Sequence, residues 1–273
     1  MLRDVAILFH PRRRNAVAEA EWLALALKER GVRASVASAW DGGTVEQLCQ
    51  ERDLAITFGG DGTILRVARL AAPLQIPLVG INLGRVGFLA EMTPETLHQC
   101  VDELAEQRYW IERRTMLEVH CVSSGRPLEY LSLNEVVVAR GVAPRAIQVH
   151  TTLDGQDFIN YTADGVLVAT ATGSTAYSLA AGGPIMYPEA KDFLLTPIAP
   201  HLHIGRSMIV PSDSTLELAV TAGRGAVMSI DGHEERHLDE RDRVRVRRSG
   251  LEALFARLGD HQYFYQAIAA RLR

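Results

Sequence analysis

Near residue 110 the hydrophobic pattern of the chain changes its period, and no single class of fold accommodates both halves. Before that point, short apolar runs alternate with segments of helical spacing. Val5 to Phe9 reads as a buried strand, Ala16 to Arg30 as a helix stopped at Gly31, and Val32 to Ala39 as a strand. A short helix follows around Val45 to Gln50, then a strand over Leu54 to Phe58, a turn over Gly59 to Thr63, and a helix from Ile64 to Ala71. Leu78 to Ile81 reads as a strand, and Pro94 to Gln107 as a helix with Thr93 as N-cap and Pro94 in its first position. This alternation predicts an α/β N-terminal domain, a Rossmann-like parallel sheet with helices on both faces.

Beyond residue 110 strands and turns dominate, which predicts an all-β C-terminal domain. Expected strands run over residues 117–122, 128–139, 147–153, 166–170, 208–210, 216–220, 226–230 and 244–247, with hairpin signals at Asp154-Gly155 and Asp231-Gly232. A helical stretch near Thr175 to Ala181 interrupts them, and the tail from Gln262 to Leu272 again has helical spacing. The expected division is 1–108, 109–248 and 249–273.

Bulk properties prune function classes. The formal net charge of −4 gives no electrostatic case for nucleic acid or an anionic membrane as partner. No apolar run reaches spanning length, and the N-terminus has no signal-peptide pattern. Cys49, Cys100 and Cys121 have no short spacing, so neither a zinc motif nor a disulfide framework is expected, and the setting reads as cytoplasmic. The only lysines are Lys28 and Lys191, and neither lies in a Walker-type loop. A cation touching phosphate here is expected to be arginine or a metal.

Phe58-Gly59-Gly60-Asp61-Gly62-Thr63 lies where a strand ends and a helix begins, the position at which open α/β sheets bind ligands. A plain tight turn explains the glycines but not Asp61. A carboxylate among phosphate-facing amides repels the ligand unless it takes a proton or holds a metal. A second segment, Asp164 to Tyr177, is an apolar strand followed by a hydroxyl-rich turn, where Thr172, Ser174 and Thr175 could bond a ligand or merely cap a helix. Asn134-Glu135 interrupts an apolar run; a carboxylate can accept two ribose hydroxyls and an amide can read a base edge, though a solvent-facing Glu fits as well. His233-Glu234-Glu235-Arg236-His237 matches the zinc-protease pattern, but its strand-and-turn flanks argue for a hairpin, and that chemistry needs a helix. His201-x-His203 reads as a loop pair. The Arg12-Arg13-Arg14 run could attract phosphate or simply be solvated.

Together these segments resemble the NAD kinase family, over nearly the whole chain. The resemblance rests on G-G-D-G-T, on Gly80-Ile81-Asn82-Leu83-Gly84-Arg85-Val86-Gly87-Phe88-Leu89, on Asn134-Glu135, on the D-G…T-G-S-T-A-Y-S stretch with Gly182-Gly183-Pro184, and on Asp231-Gly232. It implies a kinase that transfers the γ-phosphoryl group of ATP, with polyphosphate an alternative donor, to the 2′-hydroxyl of the adenosine ribose of NAD. Asp61 would be the proton acceptor. Gly62 and Arg66 match dinucleotide- and phosphate-side positions, Asn134 and Glu135 the pair that holds the nucleotide, and Arg145 and Asp164 further contacts. Thr175, Ala176, Tyr177, Ser178, Leu179 and Ala180 match the stretch lining the adenine end. Thr162 stands at a position that varies with preference for oxidised or reduced cofactor. His233 stands where the family often has Gln, and Ala171 where it usually has Pro. The resemblance also implies a C-terminal segment packing back on the first domain and a homodimer or homotetramer. A divalent cation, magnesium by expectation, would sit on the donor phosphates with no protein metal ligands named. Rival readings are a lipid or sugar kinase with the same turn, a nucleotide sensor without turnover, and a zinc hydrolase.

Overall fold

The computed structural model describes residues 2–84, 87–123, 126–142, 145–201, 205–223, 225–240 and 242–271. It divides into two compact units, residues 1–113 with 252–273, and residues 114–251.

In the first unit the chain runs β1 (Asp4–Phe9), α1 (Ala16–Glu29), β2 (Arg33–Ser38), α2 (Gly42–Cys49), β3 (Leu54–Gly59), α3 (Asp61–Ala71), β4 (Leu78–Asn82), α4 (Pro94–Gln99) and α5 (Val101–Ala105). The four strands are parallel, in the order β2-β1-β3-β4. Alternate strand residues serve opposite faces. Val5, Ile7, Leu54, Ile56, Phe58, Val79 and Ile81 pack with Ala20, Leu23 and Leu27 of α1 and with Leu97, Val101 and Leu104. On the other face α3 crosses close over β4, where a Cβ on Gly80 would meet the Ile64 side chain. Because β1 lies between β2 and β3, the order reverses there, and in open α/β sheets ligands bind beyond the carboxyl ends of the strands at such a reversal.

Two helix boundaries differ from expectation. The α3 helix begins at Asp61 rather than Ile64, so the glycine turn is shorter and the carboxylate occupies the first helical position. The helix expected over 94–107 begins as foreseen, with Thr93 capping the Thr96 amide, but breaks into α4 and α5 where Cys100 leaves helical geometry.

The second unit holds strands in two antiparallel sheets. Its elements are β5 (Trp110–Ser123), which begins in the first unit, β6 (Arg126–Ser132), β7 (Glu135–Arg140), β8 (Ile147–Leu153), β9 (Gln156–Ala163), β10 (Gly165–Ala169), α6 (Tyr177–Ala180), β11 (Phe193–Ile198), β12 (Met208–Val210), β13 (Thr215–Ala222), β14 (Ala226–Ile230), β15 (Glu234–Leu238) and β16 (Arg243–Arg257). One sheet runs β16-β13-β8-β9, with the β5–β6 hairpin attached; the other runs β12-β11-β10-β7-β14-β15. Inward residues of both, among them Val136, Val138, Val166, Val168, Leu216, Leu218, Val244 and Val246, form one core, as in a β-sandwich. From Glu252 onward β16 belongs to the first unit, where α7 (Tyr263–Arg271) follows.

The apolar run read as one strand over 128–139 is two strands in different sheets. It breaks at Leu133-Asn134, where the chain crosses from one layer to the other. Strands β9, β11 and β15 were not anticipated; β9 alternates weakly and β11 carries Pro197, which lowers its strand signal.

Candidate active site

In the first unit the glycine turn follows the fully buried strand β3 and delivers Asp61 to the start of α3. The Phe88 amide donates to Asp61 Oδ2 at 3.1 Å. Oδ1 is buried and meets no hydrogen-bond partner among the described residues. Gly87 explains how the loop comes so close: a Cβ there would overlap the Asp61 carboxylate. One oxygen is therefore anchored and the other is left for a ligand. A buried acceptor without a partner costs stability, so the arrangement suits an incoming hydroxyl or cation.

Cations flank this carboxylate. Arg13, on the loop after β1, brings Nη2 to 3.6 Å from the place a Cβ of Gly60 would take. Its guanidinium forms no ion pair among the described residues. Arg66 lies on α3, with Nε donating to the Ala39 carbonyl at 2.8 Å and its guanidinium over Trp40. Trp40 in turn packs against His10 with ring centroids 4.3 Å apart. Burial and the charges of Arg13 and Arg12 hold the His10 imidazole below its usual pKa. Arg13 thus places positive charge near the carboxyl end of β3, and Arg66 near that of β2. Gly62 follows Asp61 in the first turn of α3. Of the quoted Gly80–Leu89 segment, Arg85 and Val86 lie outside the described residues.

In the second unit the organising residue is Asp231, which the sequence offered only as part of a hairpin turn. Its backbone is left-handed, φ 49°, and its buried carboxylate reaches the layer crossing. Oδ1 accepts from Ser132 Oγ at 2.6 Å, Asn134 N at 2.8 Å and Glu135 N at 3.1 Å, while Oδ2 accepts from Leu133 N at 3.0 Å. Those amides leave one sheet before entering the other, and one carboxylate satisfies them. Asn134 and Glu135 are fixed as a result. The Asn134 carbonyl accepts from the Thr170 amide and packs directly on Gly173, where a Cβ would overlap it.

This join brings together Asn134, Glu135 and the hydroxyl-rich turn. Thr172 Oγ1 accepts from Arg114 at 3.3 Å, Ser174 Oγ donates to the Ala171 carbonyl and accepts from the Met186 amide, and Thr175 Oγ1 donates to the Thr172 carbonyl. The hydroxyls of Ser174 and Thr175 thus bond within their own turn. Ala176 leads into α6, which holds Tyr177, Ser178, Leu179 and Ala180; Tyr177 and Leu179 are exposed, and Ser178 is buried beside Thr196. Glu135 is 6% exposed and receives the Tyr177 amide. Burial, reinforced by the Asp231 charge, pushes its carboxyl up to about 8. Its Oε2 is buried and meets no partner among the described residues.

Other expected site residues lie apart from this cluster. Asp164 pairs with Arg140 at 2.7 Å, at the opposite end of the β7–β10 pair from Glu135. Thr162 faces an open polar hollow on β8 and β9 with His150 and Asn160. Arg145 is exposed. His233 is exposed in the turn after Asp231, and Glu234–Leu238 is a strand, so the zinc-protease pattern has no helix to act on. His203 lies outside the described residues.

The Glu135 carboxyl makes a pH prediction. Its folded pKa, about 8, exceeds the ordinary 4.5, so the folded state binds the extra proton between those values. Its contribution is complete below the unfolded pKa and is lost as pH rises through the folded one. Glu135→Gln should therefore flatten the fall in thermal midpoint between pH 5 and 8 and exceed the parent at pH 8. Parallel midpoint curves for the two proteins would contradict this.

Sheet topology, an aspartate at a helix start with one buried oxygen unpartnered among the described residues, and nearby arginines fit a phosphotransferase of nucleotides. The match to known proteins is specific. Residues 5–109 match the ATP-NAD kinase N-terminal domain and residues 133–258 the ATP-NAD kinase C-terminal domain. The chain belongs to the NAD kinase family. It is 39% identical over 275 residues to the NAD kinase of Dehalococcoides mccartyi, covering 100% of this chain and 97% of that one. It is 38% identical over 274 residues to that of Chloroflexus aurantiacus, covering 100% and 99%. A crystal structure of yeast NADH kinase complexed with NADH superposes with a TM-score of 0.89 at 26% identity, over 99% of this chain and 87% of that one. That of an Archaeoglobus fulgidus NAD kinase in complex with ATP gives 0.78 at 27% identity, over 97% of each.

Proposed function

We propose that this NAD kinase transfers the γ-phosphoryl group of ATP to the 2′-hydroxyl of the adenosine ribose of NAD, with Asp61 as proton acceptor. The observation that carries the reading is the buried, unpartnered Asp61 Oδ1 at the start of α3. A carboxylate is a weak base toward a free hydroxyl. It accepts the proton late, as the forming P–O bond makes that hydroxyl acidic. The transition state is loose, so positioning and charge neutralisation dominate. Arg13 and Arg66 supply positive charge where the chain has no P-loop lysine.

Asn134 and Glu135 hold the nucleotide, and the turn from Thr172 through Ala180, with Gly62, Arg145, Thr162, Asp164 and His233, supplies further contacts, as the family resemblance implies. A divalent cation, magnesium by its preference for phosphate and water oxygens, neutralises charge on the donor when bound. Among the described residues no three His, Cys, Asp or Glu side chains converge; donor phosphates and water would supply most of the ligands of such a cation. No helix among the described residues is long and apolar enough to cross a membrane. A homodimer or homotetramer in the cytoplasm completes the reading.

Glu135 separates binding from chemistry. Glu135→Ala should weaken NAD binding by roughly 1–3 kcal/mol, the cost of leaving a buried polar group without its partner, and leave single-turnover chemistry at saturating NAD much less affected. Calorimetry returning the parental affinity would remove Glu135 from the nucleotide site.

A further inference from the structure

The partner that orients Asp61 is itself held in place. The Phe88 amide bonds Asp61 Oδ2, and Gly87 packs against the same carboxylate. One residue further on, the Leu89 carbonyl accepts from Arg257 Nη1 at 2.9 Å. Two residues beyond that, Glu91 accepts from the amides of Leu258, at 3.3 Å, and Gly259. The segment that meets Asp61 is thus fastened twice to the end of β16.

Arg257 is only 1% exposed. Its Nε donates to Glu112 Oε2 at 2.6 Å, and Glu112 is 2% exposed. Glu112 Oε1 accepts, again at 2.6 Å, from the hydroxyl of Tyr263, the first residue of α7. The guanidinium lies 4.8 Å from the ring centres of both Phe255 and Tyr263. A buried ion pair is poor value for stability alone, because desolvation offsets its attraction and apolar packing would serve as well. It does fix direction: a guanidinium locked by a carboxylate and two rings points Nη1 at one carbonyl, while Nη2 meets no partner among the described residues.

We infer that Arg257, locked by Glu112 and by Tyr263 of the C-terminal helix, is a positioning residue for phosphoryl transfer that sets the Gly87–Phe88 loop against Asp61. The inference rests on Asp61 being the proton acceptor. It makes α7 part of the catalytic apparatus, since removing one hydroxyl on that helix loosens the lock by which Asp61 is aimed.

Tyr263→Phe removes only that hydroxyl, and Glu112→Gln keeps the shape while removing the charge. For each folded variant, kcat should fall about 3- to 30-fold with KM for NAD unchanged, since small misplacements of a reacting group are costly in rate. The Phe88 amide should exchange faster with solvent. In an Asp61→Asn background, Tyr263→Phe should have no further effect on rate, because there is no base left to aim. Parental kcat in both single variants, or the same fold-loss in both backgrounds, would overturn the inference. A parental rate for Asp61→Asn alone would instead overturn the proton-acceptor reading beneath it.

Discussion

Asp61→Asn should slow NADP formation by roughly 10²–10⁴-fold, the usual worth of a positioned general base. Asn retains the size of the side chain and an oxygen that can accept from Phe88, so the loop contact at Oδ2 survives. What is lost is the basic oxygen at Oδ1, which is buried and unpartnered. NAD affinity should change little, because an amide still bonds a hydroxyl. If Asp61 only shaped the turn, Asn would serve equally well and turnover would stay within a few-fold of the parent. Single-turnover rates at saturating NAD and ATP, alongside unchanged thermal midpoints, separate these outcomes.

Asp231→Ala should damage the fold rather than the chemistry. Four donors converge on this carboxylate, three of them backbone amides at the crossing between sheets. Each buried donor left without an acceptor costs about 1–3 kcal/mol. Relaxation and entering water recover part of that, so a net loss of about 3–5 kcal/mol is expected, the range for removing one partner of a buried charged network. Asp231→Asn should be milder, since Asn tolerates the left-handed backbone of this turn and keeps one acceptor oxygen. Denaturant unfolding checks both. An alanine variant within about 1 kcal/mol of the parent, the scale of a single hydrogen bond, would mean the crossing amides find other partners.

These two residues also show what was legible in the sequence. Asp61 stood out because a plain tight turn at a strand-to-helix junction explains the glycines around it but requires no charge between them. Asp231 looked ordinary because an Asp-Gly pair is what any hairpin turn requires. Its reach to residues 132–135, about a hundred positions earlier in the chain, leaves no local trace. The layer crossing was hidden for the same reason: Leu131 to Val138 is apolar throughout apart from Ser132 and Asn134-Glu135, and period alone does not reveal a change of sheet. The parallel half was read more fully because helix and strand periods alternate there with short punctuated loops. The buried Glu112, isolated in an alternating strand, had nothing local to mark it as the counter-ion of Arg257, whose position is 145 residues away.

The most direct test follows the phosphorus. The protein is incubated with NAD, magnesium and ATP carrying oxygen-18 on the γ-phosphoryl group, and the product is located by phosphorus NMR through the isotope shift. Label is expected in a 2′-phosphomonoester on the adenosine ribose, formed over a single turnover by the parent and not over the same interval by Asp61→Asn. Label recovered only as inorganic phosphate, or at equal rates from both proteins, would contradict it.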